Sequence, residues 1–375
     1  MTAIDTLVIG GGITGTVAAI ALAKQGARVT VLDAGTNAGS DANAGSLHVQ
    51  MQSRFMRLYP DQVPNVEASL PFYREAAEEW ARLDEQLGGL DLIREGGLML
   101  AESHEQLAFL EAKAARESSK GLSVEILDRS ALDAVAPWLG RQIVGAELCK
   151  DEGKLNPLIA NAKLQALAKQ LGVERHTACV RRIEVQTDGI EAITSKGVFR
   201  ADQSVLAAAW GSGDLVAPFG ITIPSKAEPL HMNITEAGAP AIHHLVQHAE
   251  RSITLKQFGS GQIVIGGGWP AKSRGKVNPP SVQSFSLLGN VALAAKLVPG
   301  ITGLRIIRTW AGMNTTTDGA SVVGRLPQSE RIVMAIPGDA GYTLGPLVGR
   351  MAAEIAHGQT PTMDIERFSP DRFAA

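Results

Sequence analysis

Apolar and polar positions at the start of the chain predict a buried strand, a helix and a second buried strand in direct succession. Residues 6–9 (TLVI) are nearly all apolar and are short enough for a strand inside a sheet. Residues 13–25 are rich in alanine, isoleucine, leucine and valine, which predicts a helix packed on that sheet, and Gly26 follows at its end. Residues 28–32 (RVTVL) predict the next strand. These elements predict a βαβ unit.

The rest of the chain predicts two kinds of sheet. Further helices are predicted at residues 66–87, 105–118, 128–136, 157–171 and 345–357. Further buried strands are predicted at residues 97–101, 205–209 and 332–335. A meander at 180–200 and strands at 226–235, 252–257 and 262–266 are typical of antiparallel pairing, with a hairpin turn at 259–261. The predicted fold class is therefore α/β with α+β insertions, a parallel-sheet domain interrupted by segments that build a second, mostly antiparallel sheet.

Composition narrows the function classes. The 375 residues carry a formal net charge of −3 without a basic block, which argues against a nucleic-acid partner. Glycines at positions 10–12 interrupt the first apolar run, so no signal peptide is predicted, and no apolar run of about 20 residues predicts a membrane span. We therefore expect a cytoplasmic protein. Two isolated cysteines are too few for an iron–sulfur cluster, which needs about four ligands.

The glycines at the junction of the first strand and helix have a specific spacing. Gly10, Gly12 and Gly15 form GxGxxG, which permits a tight turn, close approach of a pyrophosphate and close helix packing. The helix N-terminus would present N–H groups to the phosphates. Asp33, at the end of the second strand, can accept hydrogen bonds from ribose hydroxyls and disfavours a 2′-phosphate. The pattern predicts a site for FAD or NAD; a glycine-rich turn without a ligand is the alternative.

Motifs spread along the chain resemble, in their order, those of the D-amino-acid oxidase-like FAD oxidoreductases. They are VIGGGITG, SDANAGS, EGKLNP, VLAAAWGS, WAGMNTTTDGASVVG and GDAGYTLGP. The resemblance covers nearly the whole chain and implies that the dinucleotide is FAD. It also implies a Rossmann-type FAD-binding domain at residues 1–85, 140–218 and 305–375. The remaining residues, 86–139 and 219–304, would form a discontinuous substrate-binding domain.

The resemblance also implies which residues contact FAD. In the family, the SDANAGS segment lines the pyrophosphate and isoalloxazine, and the backbone at Val180 meets adenine. The GDAGYTL turn would support the pyrimidine edge of the reduced ring from a helix N-terminus. The implied contacts are Gly10, Gly12, Ile13, Thr14, Gly15, Asp33, Ala34, Ser40, Asn43, Ala44, Gly45, Ser46, Val180, Ala209, Gly312, Gly338, Gly341, Tyr342, Thr343 and Leu344.

Members of this family oxidise a C–N bond by hydride transfer from the α-carbon to flavin N5, giving an imine that water hydrolyses. The amine must be neutral to react, which favours a dry pocket, and the substrate carboxylate needs an anchor. Glycine oxidase-like members carry an arginine after WAG-x, whereas this chain has Asn314. The motif sequences of this chain resemble more closely those of the flavin subunits of opine oxidases, D-hydroxyproline dehydrogenases and sarcosine oxidases.

Four residues are candidates for the substrate side of the flavin: His48, Lys256, Tyr342 and Asn314. His48 follows the flavin loop, but it would equally serve as a histidine held by loop hydrogen bonds. Only one of Lys256 and Gln257 is expected to face inward, because strand side chains alternate, and a solvated lysine is the rival interpretation. Tyr342 lies inside the flavin turn, where core packing is the alternative.

Other charged residues carry weaker hypotheses. Arg54 and Arg57 are candidate carboxylate clamps, although surface arginines are common. His243, His244 and His248 lie close in sequence, but no carboxylate or cysteine spacing accompanies them, so no metal site is predicted.

The leading hypothesis is a dehydrogenase acting on an opine, D-hydroxyproline, proline or sarcosine-type substrate and passing its electrons to a partner subunit that carries an iron–sulfur cluster or a second flavin. A self-sufficient glycine or D-amino-acid oxidase that releases H₂O₂ is the alternative. A flavin-binding scaffold protein without turnover is the third.

Overall fold

The computed structural model describes residues 5–36, 39–239 and 241–374, and their strands form four sheets. The strands are β1 Asp5–Ile9, β2 Arg28–Asp33, β3 Ser46–Leu47, β4 Gly97–Ala101, β5 Val124–Asp128, β6 Gly145–Cys149, β7 Gly153–Lys154, β8 Glu174–Thr177, β9 Val180–Val185, β10 Ile190–Thr194, β11 Gly197–Ala201, β12 Gln203–Leu206, β13 Lys226–Ala237, β14 Leu245–His248, β15 Thr254–Gln257, β16 Gln262–Gly266, β17 Ile306–Thr316, β18 Val322–Leu326 and β19 Ser329–Ile336. The α-helices are α1 Ile13–Lys24, α2 Ser53–Leu58, α3 Val63–Gln86, α4 His104–Ser119, α5 Arg129–Val135, α6 Pro157–Gln170, α7 Ser212–Val216, α8 Ser284–Leu297 and α9 Gly341–Ala356.

Contacts divide the chain into two compact units, each built from separate stretches of sequence. The first comprises Met1–Asp41, Leu158–Glu228 and Asn314–Ala375. The second comprises Ala42–Pro157 and Pro229–Met313. The division into an FAD-binding and a substrate-binding region, with the boundaries given above, stays a prediction.

The sheet of the first unit confirms the predicted βαβ start. Its strand order is β18-β19-β12-β1-β2-β8, and every neighbouring pair is parallel except β18 with β19. The predicted meander is present as the antiparallel sheet β11-β10-β9. The central strands of the parallel sheet are almost fully buried, as a sheet covered on both faces requires.

Helices α1 and α9 of the first unit cross at very short range. A Cβ on Gly349 would lie 2.3 Å from the Thr14 carbonyl oxygen, and one on Gly345 would lie 2.6 Å from Cγ2 of Ile13. Larger side chains would push the helices apart, so these two glycines set how closely α9 lies on the dinucleotide-motif helix.

The second unit holds most of an eight-stranded sheet in the order β17-β13-β16-β15-β14-β4-β6-β5. Its described pairs are antiparallel except for β14 with β4. The predicted hairpin turn between β15 and β16 is confirmed, with Gly261 at φ +88°. A short sheet of β3 and β7 completes this unit.

Sequence patterns missed or shifted several elements. They gave no sign of α2, α8, β5, β6, β14, β17 or β18, whose short lengths or mixed polarity lack a clear period. The predicted strand at 205–209 ends earlier, at Leu206, because the chain turns into a short 3₁₀ helix at Ala209–Gly211. The final helix begins at Gly341 rather than at residue 345, since two glycines and a proline in its first turns obscure the helical pattern.

A buried ion cluster ties α4 to the sheet of the second unit. Lys113 Nζ lies 2.9 Å from Glu117 and 2.8 Å from Glu147, and all three side chains are fully buried. Burial lowers the pKa of Lys113, but the two carboxylates outweigh it and raise that pKa overall. Burial raises the pKa of the Glu147 carboxyl, and the Lys113 ammonium opposes that rise. The charges are tolerated because each has a partner.

Replacing Lys113 by methionine should therefore lower the free energy of unfolding by about 3–5 kcal/mol, because it leaves buried carboxylates without a cation. Urea unfolding followed by circular dichroism measures this loss. Arg116→Met on the same helix is the matched control. Arg116 pairs with Glu67 at 2.9 Å but is 42% exposed, so we expect a change below about 1 kcal/mol. Equal losses in both variants would contradict the assignment.

Candidate active site

The glycine turn between β1 and α1 is built from backbone that leaves no room for side chains. Gly10 has φ +105°, and a Cβ there would lie 2.3 Å from the carbonyl oxygen of Ala207. A Cβ on Gly15 would lie 1.9 Å from the carbonyl oxygen of Gly10. The helix N-cap, Gly12, has no side chain to cap α1, and the N–H of its first residue, Ile13, donates to Ser40 Oγ at 2.8 Å, an arrangement in which the helix start still faces an anion with its dipole.

Asp33 lies beside this turn, at the end of β2. Its carboxylate accepts hydrogen bonds from the N–H of Gly11 at 2.6 Å and of Gly35 at 2.8 Å. Arg175 on β8 approaches it at 3.8 Å. Arg175 was not singled out from the sequence, because only the pairing of β8 with β2 brings it there. The glycine turn, the Asp33 carboxylate and the Arg175 guanidinium thus form one polar cluster within the first unit.

Asn161 links two segments that are far apart in sequence. Its side-chain amide donates to the Ser40 carbonyl oxygen at 2.9 Å, and its Oδ1 accepts from Tyr342 at 3.0 Å. Ser40 Oγ in turn accepts from the N–H of Ile13 at 2.8 Å. The chain of contacts joins the N-terminal turn to the start of α9. Asn161 was missed because it lies in the middle of a predicted helix.

The GDAG turn leads directly into α9. Gly338 has φ +82°, and a Cβ there would meet the Thr317 hydroxyl at 2.9 Å. The N-cap residue of α9, Ala340, makes no side-chain cap. Gly341, Tyr342, Thr343 and Leu344 therefore lie in the first turn of the helix rather than in a preceding loop. Burial raises the pKa of the neighbouring Asp339 carboxyl to about 7.

Three further predicted FAD contacts follow strands of the first unit. Ala209 has φ +52°, a left-handed conformation that side chains rarely adopt. Val180 opens β9, two residues after Ala178, whose N–H donates to the Asp33 carbonyl oxygen at 2.7 Å. Ala34 is exposed directly after Asp33. Strain at Ala209 favours a functional role for the turn after β12.

The SDANAGS segment enters the second unit at Ala42. Asn43 Oδ1 accepts from the N–H of Gly45 at 2.7 Å, which closes a local turn around Ala44. Gly45 has φ +79°, and a Cβ there would lie 2.0 Å from the Leu155 carbonyl oxygen. Trp310 Nε1 donates to the Ala42 carbonyl oxygen at 2.9 Å, and Gly312 leaves space for the Ala42 side chain.

Lys256 lies fully buried on β15, so the interpretation of a solvated lysine is wrong. Its Nζ donates to Ser46 Oγ at 2.7 Å, and no described carboxylate pairs with it. Burial first, and then the charge of Lys154, lower the pKa of Lys256 to about 7. Side chains on β15 do alternate, but Gln257 is also buried, because it binds the backbone of Ala241 and Ile242 on the other face.

His48 follows β3 and lies near a buried carboxylate. Its Nδ1 is 3.9 Å from Glu152 Oε1, and its side chain keeps 24% exposure. Desolvation first, and then the charge of Lys256, lower the pKa of His48 to about 3, so the ring is neutral at physiological pH. The catalytic role of His48 stays a prediction.

Glu152 holds the backbone beside His48. It accepts hydrogen bonds from the N–H of Val49 at 2.9 Å and of Gln50 at 3.2 Å, and from the Gln247 amide at 2.6 Å. Burial raises the pKa of Glu152 to about 7. The sequence carried a signal for it, since Glu152 opens the EGKLNP motif, but not for its contacts.

The remaining candidates have simpler surroundings. Asn314 is half-buried near the end of β17. Arg57 lies 4.0 Å above the Phe109 ring and 3.6 Å from Glu250, which ties it to the protein surface. In the part of the chain that the structure describes, no three His, Cys, Asp or Glu side chains are grouped as metal ligands. Nor is any described helix both long and apolar enough to cross a membrane.

The first unit fits an adenine dinucleotide. A glycine turn without room for Cβ atoms, a helix that starts at that turn and a carboxylate at the end of the adjacent strand are what a pyrophosphate and a ribose require. Gly10, Gly12, Gly15 and the start of α1 would hold the pyrophosphate. Asp33 would hold the ribose.

Comparisons with known proteins agree with this geometry. The model of the family described as FAD dependent oxidoreductase (DAO) matches residues 5–355. The chain is 27% identical to glycine oxidase of Bacillus licheniformis over 98% of this chain and 97% of that protein. It is also 27% identical to an opine oxidase subunit of Rhizobium meliloti, over 99% and 98% of the two chains.

A solved structure shows the same fold. Glycine oxidase from Geobacillus kaustophilus superposes with a TM-score of 0.84 at 21% identity, covering 98% of each chain. The predicted fold class, a Rossmann-type α/β fold with a mostly antiparallel insertion, is confirmed.

Substituting Gly15 by alanine tests the turn. The added methyl would lie 1.9 Å from the Gly10 carbonyl oxygen, so β1 and α1 must separate, and we expect the purified protein to lose most of its bound FAD. The ratio of flavin to protein absorbance measures this. Gly300→Ala is the control, because a Cβ there meets nothing within 4 Å; it should retain full flavin. A fully loaded Gly15→Ala protein would rule out the proposed binding turn.

Proposed function

Because the chain belongs to the DAO family of FAD-dependent oxidoreductases, we propose that it oxidises the C–N bond of an amino acid or secondary amine to an imine, which water hydrolyses. The observation that carries the proposal is the match of residues 5–355 to this family, together with a first unit that fits the dinucleotide. FAD, when bound, supplies the acceptor for the two electrons. The chain's own residues must bind the amine, orient its C–H bond and remove a proton from nitrogen.

We propose a substrate of the opine, D-hydroxyproline, proline or sarcosine type, with electrons passed to a partner subunit. The likeness to a protein that is named as one subunit of an opine oxidase supports a partner. The equal likeness to glycine oxidase supports the second candidate, an oxidase that uses O₂ directly. Asn314, which replaces an arginine of glycine oxidase-like members, favours the first.

The substrate nitrogen must lose a proton before the C–N bond is oxidised, and Lys256 is suited to take it. A buried ammonium without a carboxylate partner is costly, so the amine group is largely neutral above pH 7. Ser46, the hydrogen-bond partner of Lys256, would carry the proton from the substrate to the lysine. With Nζ neutral, this hydrogen bond would reverse, so that the Ser46 hydroxyl donates to Nζ, passes its proton there and takes one from the substrate ammonium.

After this proton transfer, the positive charge of Lys256 would also help to hold the substrate. Once Lys256 carries the proton, its positive charge is within one hydroxyl of the bound substrate and stabilises the substrate carboxylate. His48, neutral and partly exposed, would donate or accept one further hydrogen bond to the substrate. Tyr342, whose pKa burial raises, stays protonated and donates its hydroxyl hydrogen to Asn161 within the first unit.

An anaerobic screen tests the proposed reaction. We expect the flavin absorbance near its visible maximum to bleach with at least one of glycine, sarcosine, D- and L-proline, D-hydroxyproline, octopine and nopaline. Admitting air then separates the electron routes: peroxide release indicates an oxidase, whereas dye reduction without peroxide indicates a partner-dependent dehydrogenase. Unchanged absorbance with all of them would favour a scaffold protein and overturn the proposal.

The pH dependence of flavin reduction tests Lys256. Below its pKa of about 7 the lysine already carries a proton and cannot accept another, so the rate should rise with pH through about 7. Lys256→Met should reduce the rate at pH 7 by about 10²-fold, as loss of an acid–base group does. Its pH rise should move upward, to that of the substrate ammonium itself. Stopped-flow absorbance gives these profiles.

Ser46→Ala should reproduce the Lys256→Met profile, because it breaks the proton route without removing the lysine. Lys272→Met, at an exposed position of the same unit, is the control and should match the wild type. If Lys256→Met still rises through pH 7, another group titrates there. Glu152, with its pKa of about 7, would then be the first to examine.

A further inference from the structure

The second unit contains a cleft that the proposed chemistry does not use. Its volume is about 640 Å³, and it lies among α2, the residues after β14, the segment after β16 and α8. The lining residues that matter below are Arg54, Glu250, Arg251, Trp269, Leu293 and Lys296. The size suits a small organic molecule.

The floor of the cleft is the GGGW segment at the end of β16. Gly267 and Gly268 have φ +93° and +83°, which only glycine adopts without strain. Trp269 Nε1 donates to the Ser252 carbonyl oxygen at 2.6 Å. A Cβ on Gly289 of α8 would lie 2.3 Å from the indole ring. The indole is therefore fixed against the helix, where it lines the cleft.

A buried polar chain keeps α8 in place over this floor. Asn290 of α8 donates to the Gly266 carbonyl oxygen at 3.0 Å and accepts from Asn233 at 2.9 Å. Asn233 in turn hydrogen-bonds the His231 ring at 2.8 Å. Because these hydrogen bonds tie α8 to β13 and β16, the cleft is formed in advance of any ligand.

The charges of the cleft are unbalanced. Three cations and one carboxylate, Glu250, line it. Arg251 and Lys296 are held by Glu102 at 3.1 Å and 2.7 Å. For Arg54, the described residues supply neither a hydrogen bond nor an ion pair, although its guanidinium lies 3.5 Å from the Cβ position of Gly268 on the floor. The Arg54 guanidinium is thus available for a bidentate pair with a carboxylate.

We propose that this cleft binds an organic carboxylate with an apolar body. The carboxylate pairs with the Arg54 guanidinium, and the body lies on the Trp269 indole and Leu293. Such a group has two possible sources: the distal acidic arm of a substrate of the proposed oxidation, or a separate acid. The binding claim itself does not rest on the proposed function.

Fluorine NMR with the flavin-loaded protein tests it, using 4-(trifluoromethyl)phenylacetate as the probe. We expect saturable binding of this probe and at least tenfold weaker binding of the neutral 4-(trifluoromethyl)phenylacetamide. Arg54→Gln should weaken phenylacetate binding about tenfold, and Arg54→Lys less, since it retains the charge without the fork. Arg274→Gln, at an exposed position of the same unit outside the lining of the cleft, is the control and should change the dissociation constant less than twofold.

Equal binding of acid and amide, or an unchanged affinity in Arg54→Gln, would overturn the proposal. Arg54 is exposed, so its variants should fold, and circular dichroism with the flavin content checks this. Binding of the probe is read without turnover, which keeps this result separate from a failed substrate screen. Where turnover is found, competition by the probe against the amine identifies a substrate arm, and its absence identifies a separate ligand.

Discussion

The close approach of backbone around α1 is the constraint on which the first unit depends. On one side, a Cβ on Gly15 would lie 1.9 Å from the carbonyl oxygen of Gly10, so only glycine lets α1 pack directly on the turn that would hold a pyrophosphate. On the other side Gly345 and Gly349 bring α9 against the same helix. A single methyl at any of these positions would separate elements that must meet for α1 to aim its N-terminus at a ligand. These glycines therefore allow close packing of helices, in addition to the tight turns that other glycines form.

Three buried lysines of the second unit show how local partners decide function. Lys113 is neutralised by two carboxylates, which marks it as structural. Lys154 donates to the carbonyl oxygens of Ile242 and His243, and burial lowers its pKa only to about 8. Lys256 has a single hydroxyl partner and the lowest pKa of the three. A group that is buried, unpaired by charge and near neutral pH is the one suited to proton transfer.

The same reasoning separates the arginines. Arg57 lies on an aromatic ring beside a carboxylate, whereas Arg54 lines a preformed cleft. From the sequence alone, both arginines were equal candidates for binding a carboxylate. Their difference comes from the GGGW floor and α8, elements that lie far along the chain from α2.

The sequence by itself determined the βαβ start and the glycine turn with Asp33, because each rests on residues close together in the chain. It also determined the membership of a flavin family, because the order of motifs along nearly the whole chain can be recognised without the fold. Local patterns failed where an element's period was interrupted, as at the start of α9, or where burial came from distant partners. Asn161 and Arg175 were invisible as site residues, and Glu152 was visible only as part of the EGKLNP motif, because strand pairing and helix packing alone bring them to Ser40, Asp33 and His48. Tertiary structure likewise decided that Lys256 is buried and that Arg54 faces a cleft. Hydrogen-bond partners and desolvation are properties of the folded surroundings, and these set the chemistry of an ionisable side chain.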